Sequence, residues 1–255
     1  MKPIINYKIL NSTSLKIILI VMMLLGHIYQ MFSNVPALFS ILTRAGLPII
    51  MLVTAESFHY THNKYKYILR LGIASVVMAI GSIALMGIIP NSTLFLYNSA
   101  FTLFFITTIY MLCVDKVKEG KIYIALIIAI IPIITAIPAA LFVNNQFIHD
   151  RICLLIPSIF TLMDGGYFMV VLGVLFYIFR KHRYIQVIIL LIFASFSSPF
   201  FVSPYAPFMA LAAIPILMYN GEKGHGFKYL FYTFYPLHIW ILYIIATLLS
   251  KGILQ

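Results

Sequence analysis

Four ionisable residues interrupt otherwise apolar runs: His27, Arg44, Asp164 and His238. Charged groups at membrane depth are expensive, so each marks a candidate site and calls for a partner. A neutral imidazole in a partly dry site can serve as a general base, taking a proton from an amine or hydroxyl as it attacks an acyl carbon. A guanidinium can hold a carbonyl or stabilise a developing oxyanion. Arg44 and Asp164 can also neutralise each other. At ~1.5 Å per helical residue, His27 lies ~18 Å into its run, Arg44 ~12 Å, Asp164 ~17 Å and His238 ~15 Å. In a hydrocarbon core of ~30 Å these depths nearly coincide. Helix-holding glue alone would also explain an ion pair and two histidines, but it rarely needs four such costly groups at one level. Backbone breaks fall beside them: Gly26 before His27, Pro48 one turn after Arg44, Gly165-Gly166 after Asp164, and Pro236 before His238. Irregular backbone next to buried ionisable groups is the pattern of a lined cavity.

The elements that must position these groups are membrane helices. Of 255 residues, 63% are hydrophobic and 9% charged, and the mean hydropathy is +1.05. A soluble domain of this length has no place for so much apolar side chain. Uncharged runs of about 20 residues are long enough to cross a bilayer. Spans are predicted at 15–33, 36–57, 67–89, 94–114, 121–143, 153–179, 184–200, 204–219 and 228–249. The expected fold is therefore an all-α polytopic bundle of about nine transmembrane helices, eight to ten if the seventh and eighth form a re-entrant pair. The first run is long for a signal-peptide core and lacks a small-x-small cleavage site, so it reads as a span. With no internal repeat or polar linker, residues 1–255 read as one membrane domain. Of the 17 Lys and Arg residues, only Arg44, Arg151 and Lys251 fall outside the N-terminal tail and the alternate loops. By the positive-inside rule those loops and the N-terminus are cytoplasmic. The same placement explains the net charge of +11, so no nucleic-acid partner is called for.

Glu56 falls at the cytoplasmic boundary of the second run, beside His59, Tyr60 and His62. Lys64, Lys66 and Arg70 follow at once, a basic mouth able to meet a phosphate-rich cytosolic ligand. Serine elbow, HExxH and Walker-type glycine loop are all missing from the sequence, and no spacing argues for a metal. Cys113 and Cys153 read as packing residues on opposite faces, too far apart for a disulfide. Spacing alone thus reaches a polar midplane site behind a basic cytoplasmic mouth. That description suits a transporter or exporter as well as an enzyme.

Several blocks resemble the TraX family of integral membrane proteins, named for amino-terminal acetylation of F pilin. They are LKIILIVMMLLGHIY, RAGLPIIMLVTAESFHYTHNKYKYILRL, FTLFFI, DGGYFMVVLGVLFYIFR, ALAAIPILMYNGEKG and YLFYTFYPLHIWILY. The blocks that begin at Arg44 and contain Tyr235-Pro-Leu-His238 are the specific ones. The resemblance implies an acetyl-CoA-dependent acyltransferase of a bacterial inner or cytoplasmic membrane. Its acceptor would be a peptide amine or a cell-surface molecule, with the lipid bilayer as surroundings. It makes His27 the expected catalytic base and places Arg44, Glu56, His59, Tyr60 and His238 on motif positions. The chain departs from the family at Gly26-His27, where Asp-His is common. A non-catalytic role in a conjugation or secretion assembly is the remaining expectation.

Overall fold

In the computed structural model, residues 8–96, 100–162, 165–201, 203–225 and 228–252 are described. They form α-helices α1 (Ser12–Met31), α2 (Ala37–Tyr60), α3 (Lys64–Ile88), α4 (Ala100–Lys118), α5 (Ile122–Ile134), α6 (Ile137–Leu141), α7 (Gln146–Leu155), α8 (Gly166–Ile178), α9 (Arg183–Ser195), α10 (Ala213–Met218) and α11 (Lys228–Ser250). No strand occurs among the described residues; a single bridge joins Leu10 and Tyr219.

Six helical stretches are long and apolar enough to cross a membrane: Ser12–Met31, Ala37–Tyr60, Lys64–Ile88, Ala100–Lys118, Ile122–Leu141 and Leu230–Ser250. Gly166–Ile178, Arg183–Ser195 and Ala206–Met218 are apolar but shorter. The chain is a helical membrane protein, and its exposed surface agrees. On α3, Leu69, Ile73, Val77 and Ile80 are each more than half exposed along one stripe. Facing water, such a stripe would be a liability; facing lipid, it is ordinary.

Local chemistry sets the helix ends. Asn11 caps α1, accepting from the Ser14 N–H at 3.0 Å, and Asn63 caps α3, accepting from the Lys66 N–H at 2.9 Å. Side-chain caps of this kind satisfy amides that the helix itself leaves unpaired. Pro48 and Pro236 remain inside continuous helices. Each leaves a carbonyl one turn earlier, at Arg44 and at Tyr232, without its usual backbone donor.

The predicted span at 153–179 is not one helix. α7 stops at Leu155, two residues before Pro157, and Ser158 accepts from the Phe160 N–H at 3.1 Å to start a short 3-10 turn. Gly165 and Gly166 then take φ values of 84° and 51° before α8 proceeds. Left-handed backbone at two successive positions suits glycine and breaks a helix. The runs at 184–200 and 204–219 are likewise shortened, the first by a 3-10 turn at Ser198–Phe200 and the second by one at Ala206–Ala212.

The chain divides into two compact units, each built from separated stretches. One comprises Met1–Val53 and Phe179–Leu242; the other comprises Thr54–Ile178 and Tyr243–Gln255. In the first, α9 packs on α10 and on the 3-10 turn before it. In the second, α4 packs against α3, α5 and α8. α4 is accordingly buried along its length, from Phe101 to Cys113. The Ser75 and Thr102 hydroxyls bond at 2.6 Å inside the α3–α4 contact.

Candidate functional site

The first unit brings two of the four anticipated groups into contact. His27 on α1 and His238 on α11 meet with His238 Nε2 3.2 Å from His27 Nδ1. Their rings lie 4.9 Å apart, edge to face. Both side chains also turn back onto their own helix. His27 Nδ1 is 2.8 Å from the Met23 carbonyl oxygen, and His238 Nδ1 is 2.7 Å from that of Phe234.

These contacts assign the protons of the neutral pair. A carbonyl oxygen only accepts, so His238 carries its hydrogen on Nδ1 and His27 carries its hydrogen on Nδ1 too. His238 Nε2 is then a lone-pair acceptor, and it shares the His27 Nδ1–H with the Met23 carbonyl. Both Nε2 atoms are therefore unprotonated; that of His238 is engaged within the pair, and that of His27 is the lone pair the contact leaves over, held in one tautomer by the atoms behind it.

The rings are also fixed mechanically. Phe234 stacks on His238, with centroids 4.5 Å apart and planes within 13°. Tyr235, 2% exposed, presents its ring edge-on to both histidines, at 6.3 Å and 5.8 Å. His238 is itself buried at 6% exposure. Within the run FYTFYPLHIW, Phe234 and Tyr235 pack the imidazole of His238, and the Phe234 carbonyl orients it.

Gly26 serves the contact between α1 and α2. A Cβ added there would stand 2.3 Å from Thr43 Cγ2 and 2.7 Å from Thr43 Oγ1. Thr43 cannot easily swing away, because its hydroxyl lies 2.9 Å from the Met22 carbonyl of α1 and 2.7 Å from that of Phe39. Thr43 occupies the space that a larger side chain at position 26, such as an aspartate, would need. Arg44, the next residue, is half-buried with its guanidinium 5.7 Å from the centre of the Phe201 ring. Asp164 lies outside the described residues, as does the Arg44–Asp164 pairing expected from the sequence.

The basic mouth belongs to the second unit. Lys64 pairs with Asp115, its ammonium 3.3 Å from the Tyr177 hydroxyl. Tyr177 donates to Asp115 at 2.7 Å. The Lys64 ammonium also sits 4.9 Å from the Phe58 ring centre. Lys64 therefore ties the start of α3 to α4 and α8. Lys66 and Arg70 are exposed, with the Arg70 guanidinium 5.8 Å from the Tyr67 ring centre. Glu56 is buried at 4% exposure, His59 is half-buried against the Tyr60 ring at 4.9 Å, and Tyr60 is exposed. Among the described residues, no group of three or more His, Cys, Asp or Glu side chains is arranged to hold a metal.

A family model described as TraX protein matches residues 11–246. No curated protein matches the chain, and no solved structure does.

Proposed function

Since the chain belongs to the TraX family, we propose that it is a membrane-embedded acyltransferase moving an acetyl group from cytosolic acetyl-CoA to an acceptor amine. The observation that carries this reading is the His27–His238 pair, whose geometry leaves one lone-pair nitrogen on a fixed imidazole. An amine attacking the thioester carbon must lose a proton, and His27 Nε2 accepts it. The imidazolium so formed keeps its Nδ1–H between the Met23 carbonyl and His238 Nε2, which spreads the new charge over two acceptors. Collapse of the intermediate expels the CoA thiolate, which takes the proton back from His27. Arg44, steadied against Phe201, is the group proposed to face the developing oxyanion.

In this reading Lys66 and Arg70 are the residues proposed to meet the phosphates of the acyl donor, with Glu56, His59 and Tyr60 as further donor-binding residues. Lys64, committed to Asp115 and Tyr177, anchors the start of α3 rather than binding phosphate. The three short apolar segments complete a nine-span topology with a cytoplasmic N-terminus in a bacterial inner or cytoplasmic membrane. The acceptor amine arrives from the opposite face, on a pilin-like N-terminus or another extracytoplasmic molecule.

Purified full-length protein supplied with labelled acetyl-CoA and a peptide amine tests the proposal. Transfer is expected in the wild type and a loss on the order of a hundredfold or more in His27→Ala, the scale of a positioned base. Undiminished transfer by His27→Ala would remove the base from the mechanism. Substrate flux into proteoliposomes with no thioester turnover would replace the enzyme reading by a transporter.

A further inference from the structure

A second imidazole, remote in sequence from the first pair, holds a thiol. On α7, His149 and Cys153 are four residues apart and share one face of the helix. His149 Nε2 lies 3.4 Å from Cys153 Sγ, and His149 Nδ1 lies 2.9 Å from the Ala139 carbonyl on α6. A carbonyl only accepts, so Nδ1 bears the hydrogen and Nε2 is the lone pair facing the thiol. Nucleophile, base and an orienting group on a neighbouring element are thus in series. Both side chains are half-buried rather than sealed. α7 is only 10 residues long and carries Asp150 and Arg151, so it is not one of the six candidate spans.

We propose that Cys153, activated by His149, is a thiol–disulfide exchange site that takes half of a small-molecule disulfide as a mixed disulfide. The Cys153 thiol proton passes to His149 Nε2 as Sγ attacks one sulfur of the incoming disulfide. A new S–S bond forms, the old one breaks, and the departing thiolate recovers the proton from His149. The incoming disulfide is reduced and Cys153 is oxidised by the same electron pair, so no other oxidant is needed. Disulfide exchange fits this site better than acyl transfer does, because its transition state places charge on sulfur and requires no oxyanion pocket.

Burial and the nearby Asp150 carboxylate push the Cys153 pKa up. The thiol therefore rests protonated, and proton removal is the step that His149 supplies. The charged groups around it are few. Asp150 accepts from the Gln146 side-chain amide at 2.7 Å. Arg151 is turned onto the Phe147 ring and carbonyl. α3, which packs on α7, has its titratable side chains between Lys64 and Arg70, and α6 has none.

The test treats detergent-solubilised full-length protein with cystamine and follows the adduct by intact-mass spectrometry and peptide mapping. One cysteamine adduct on Cys153, reversed by dithiothreitol, is expected. It should be absent in Cys153→Ala and unchanged in Cys113→Ala. His149→Asn retains an N–H to donate to Ala139 but offers no base, so it separates chemistry from folding. At neutral pH it should slow modification on the order of a hundredfold, the low end for a positioned base. That deficit should shrink as rising pH ionises the thiol without help. Equal rates in wild type and His149→Asn at neutral pH, no adduct, or an adduct on Cys113 would each overturn the proposal.

Discussion

At the residue scale, the His27–His238 contact assigns different duties to two chemically identical side chains. His27 presents a lone pair, whereas His238 spends its own on the His27 N–H. The positioning duty of His238 needs only an acceptor, and that makes it separable from base chemistry. His238→Gln offers a side-chain oxygen to His27 Nδ1–H and is expected to retain acetyl transfer within about tenfold of wild type. His238→Leu removes the acceptor and should lose roughly a hundredfold, within the range of base catalysis it disables. Comparing the pH profiles of transfer decides whether the loss is chemical: only the leucine variant should shift the limb assigned to His27. If glutamine and leucine behave alike, His238 is a tether. The sequence places these two histidines at one depth together with Arg44 and Asp164, because depth along a helix follows from residue count, but it does not single out their contact. It could not supply the tautomer, which depends on the Met23 and Phe234 carbonyls one turn back. The His149–Cys153 spacing was also legible in the sequence, but Cys153 reads as packing until Ala139 is seen to orient the base.

At the element scale, the contact between α1 and α2 rests on Gly26 against Thr43. An aspartate at position 26 looks from sequence like a missing partner for His27. In the structure it is a steric impossibility without change at Thr43, since even a methyl group would stand 2.3 Å from Thr43 Cγ2. Overpacking of this kind commonly costs about 1–3 kcal/mol. Gly26→Ala is therefore expected to lower the melting temperature of the solubilised protein. Thr43→Ala removes the two closest atoms, so the double variant should lose less than the sum of the single losses, as coupled neighbours do. Additive losses would mean that the helices do not meet there. The same scale shows what periodicity misses. Length and apolarity correctly locate long helices such as α2, α3 and α11. They do not locate the stop at Leu155, two residues before Pro157, within an apolar run. They also do not show that Lys64 is spoken for, because Asp115 and Tyr177 come from distant parts of the sequence.

At the scale of the whole molecule, both compact units are assembled from stretches that are far apart in sequence. α2 and α11 each contribute residues to both units, so cutting the chain between helices cannot release either unit whole. Local pattern makes the helical membrane character plain, but this interleaving depends on long-range packing that no local pattern encodes. Topology, by contrast, reduces to parity. An odd number of crossings puts the two ends of the chain on opposite faces, and an even number puts them on the same face. Six long helices alone would bring the C-terminus back to the side of the N-terminus. Adding the three short apolar segments as crossings separates the ends. Charge favours the second arrangement. With it, the basic residues of the N-terminal stretch and of the alternate loops fall on one face, and basic residues beside short apolar segments are retained on the cytoplasmic side. Reporter domains fused in turn to each end of the full chain read this directly. A cytoplasm-dependent fluorescent protein should be active at the N-terminus and dark at the C-terminus, and a phosphatase that folds only outside the cytoplasm should give the reverse. Both ends reporting cytoplasm would mean that one or all three short segments dip into the membrane without crossing it.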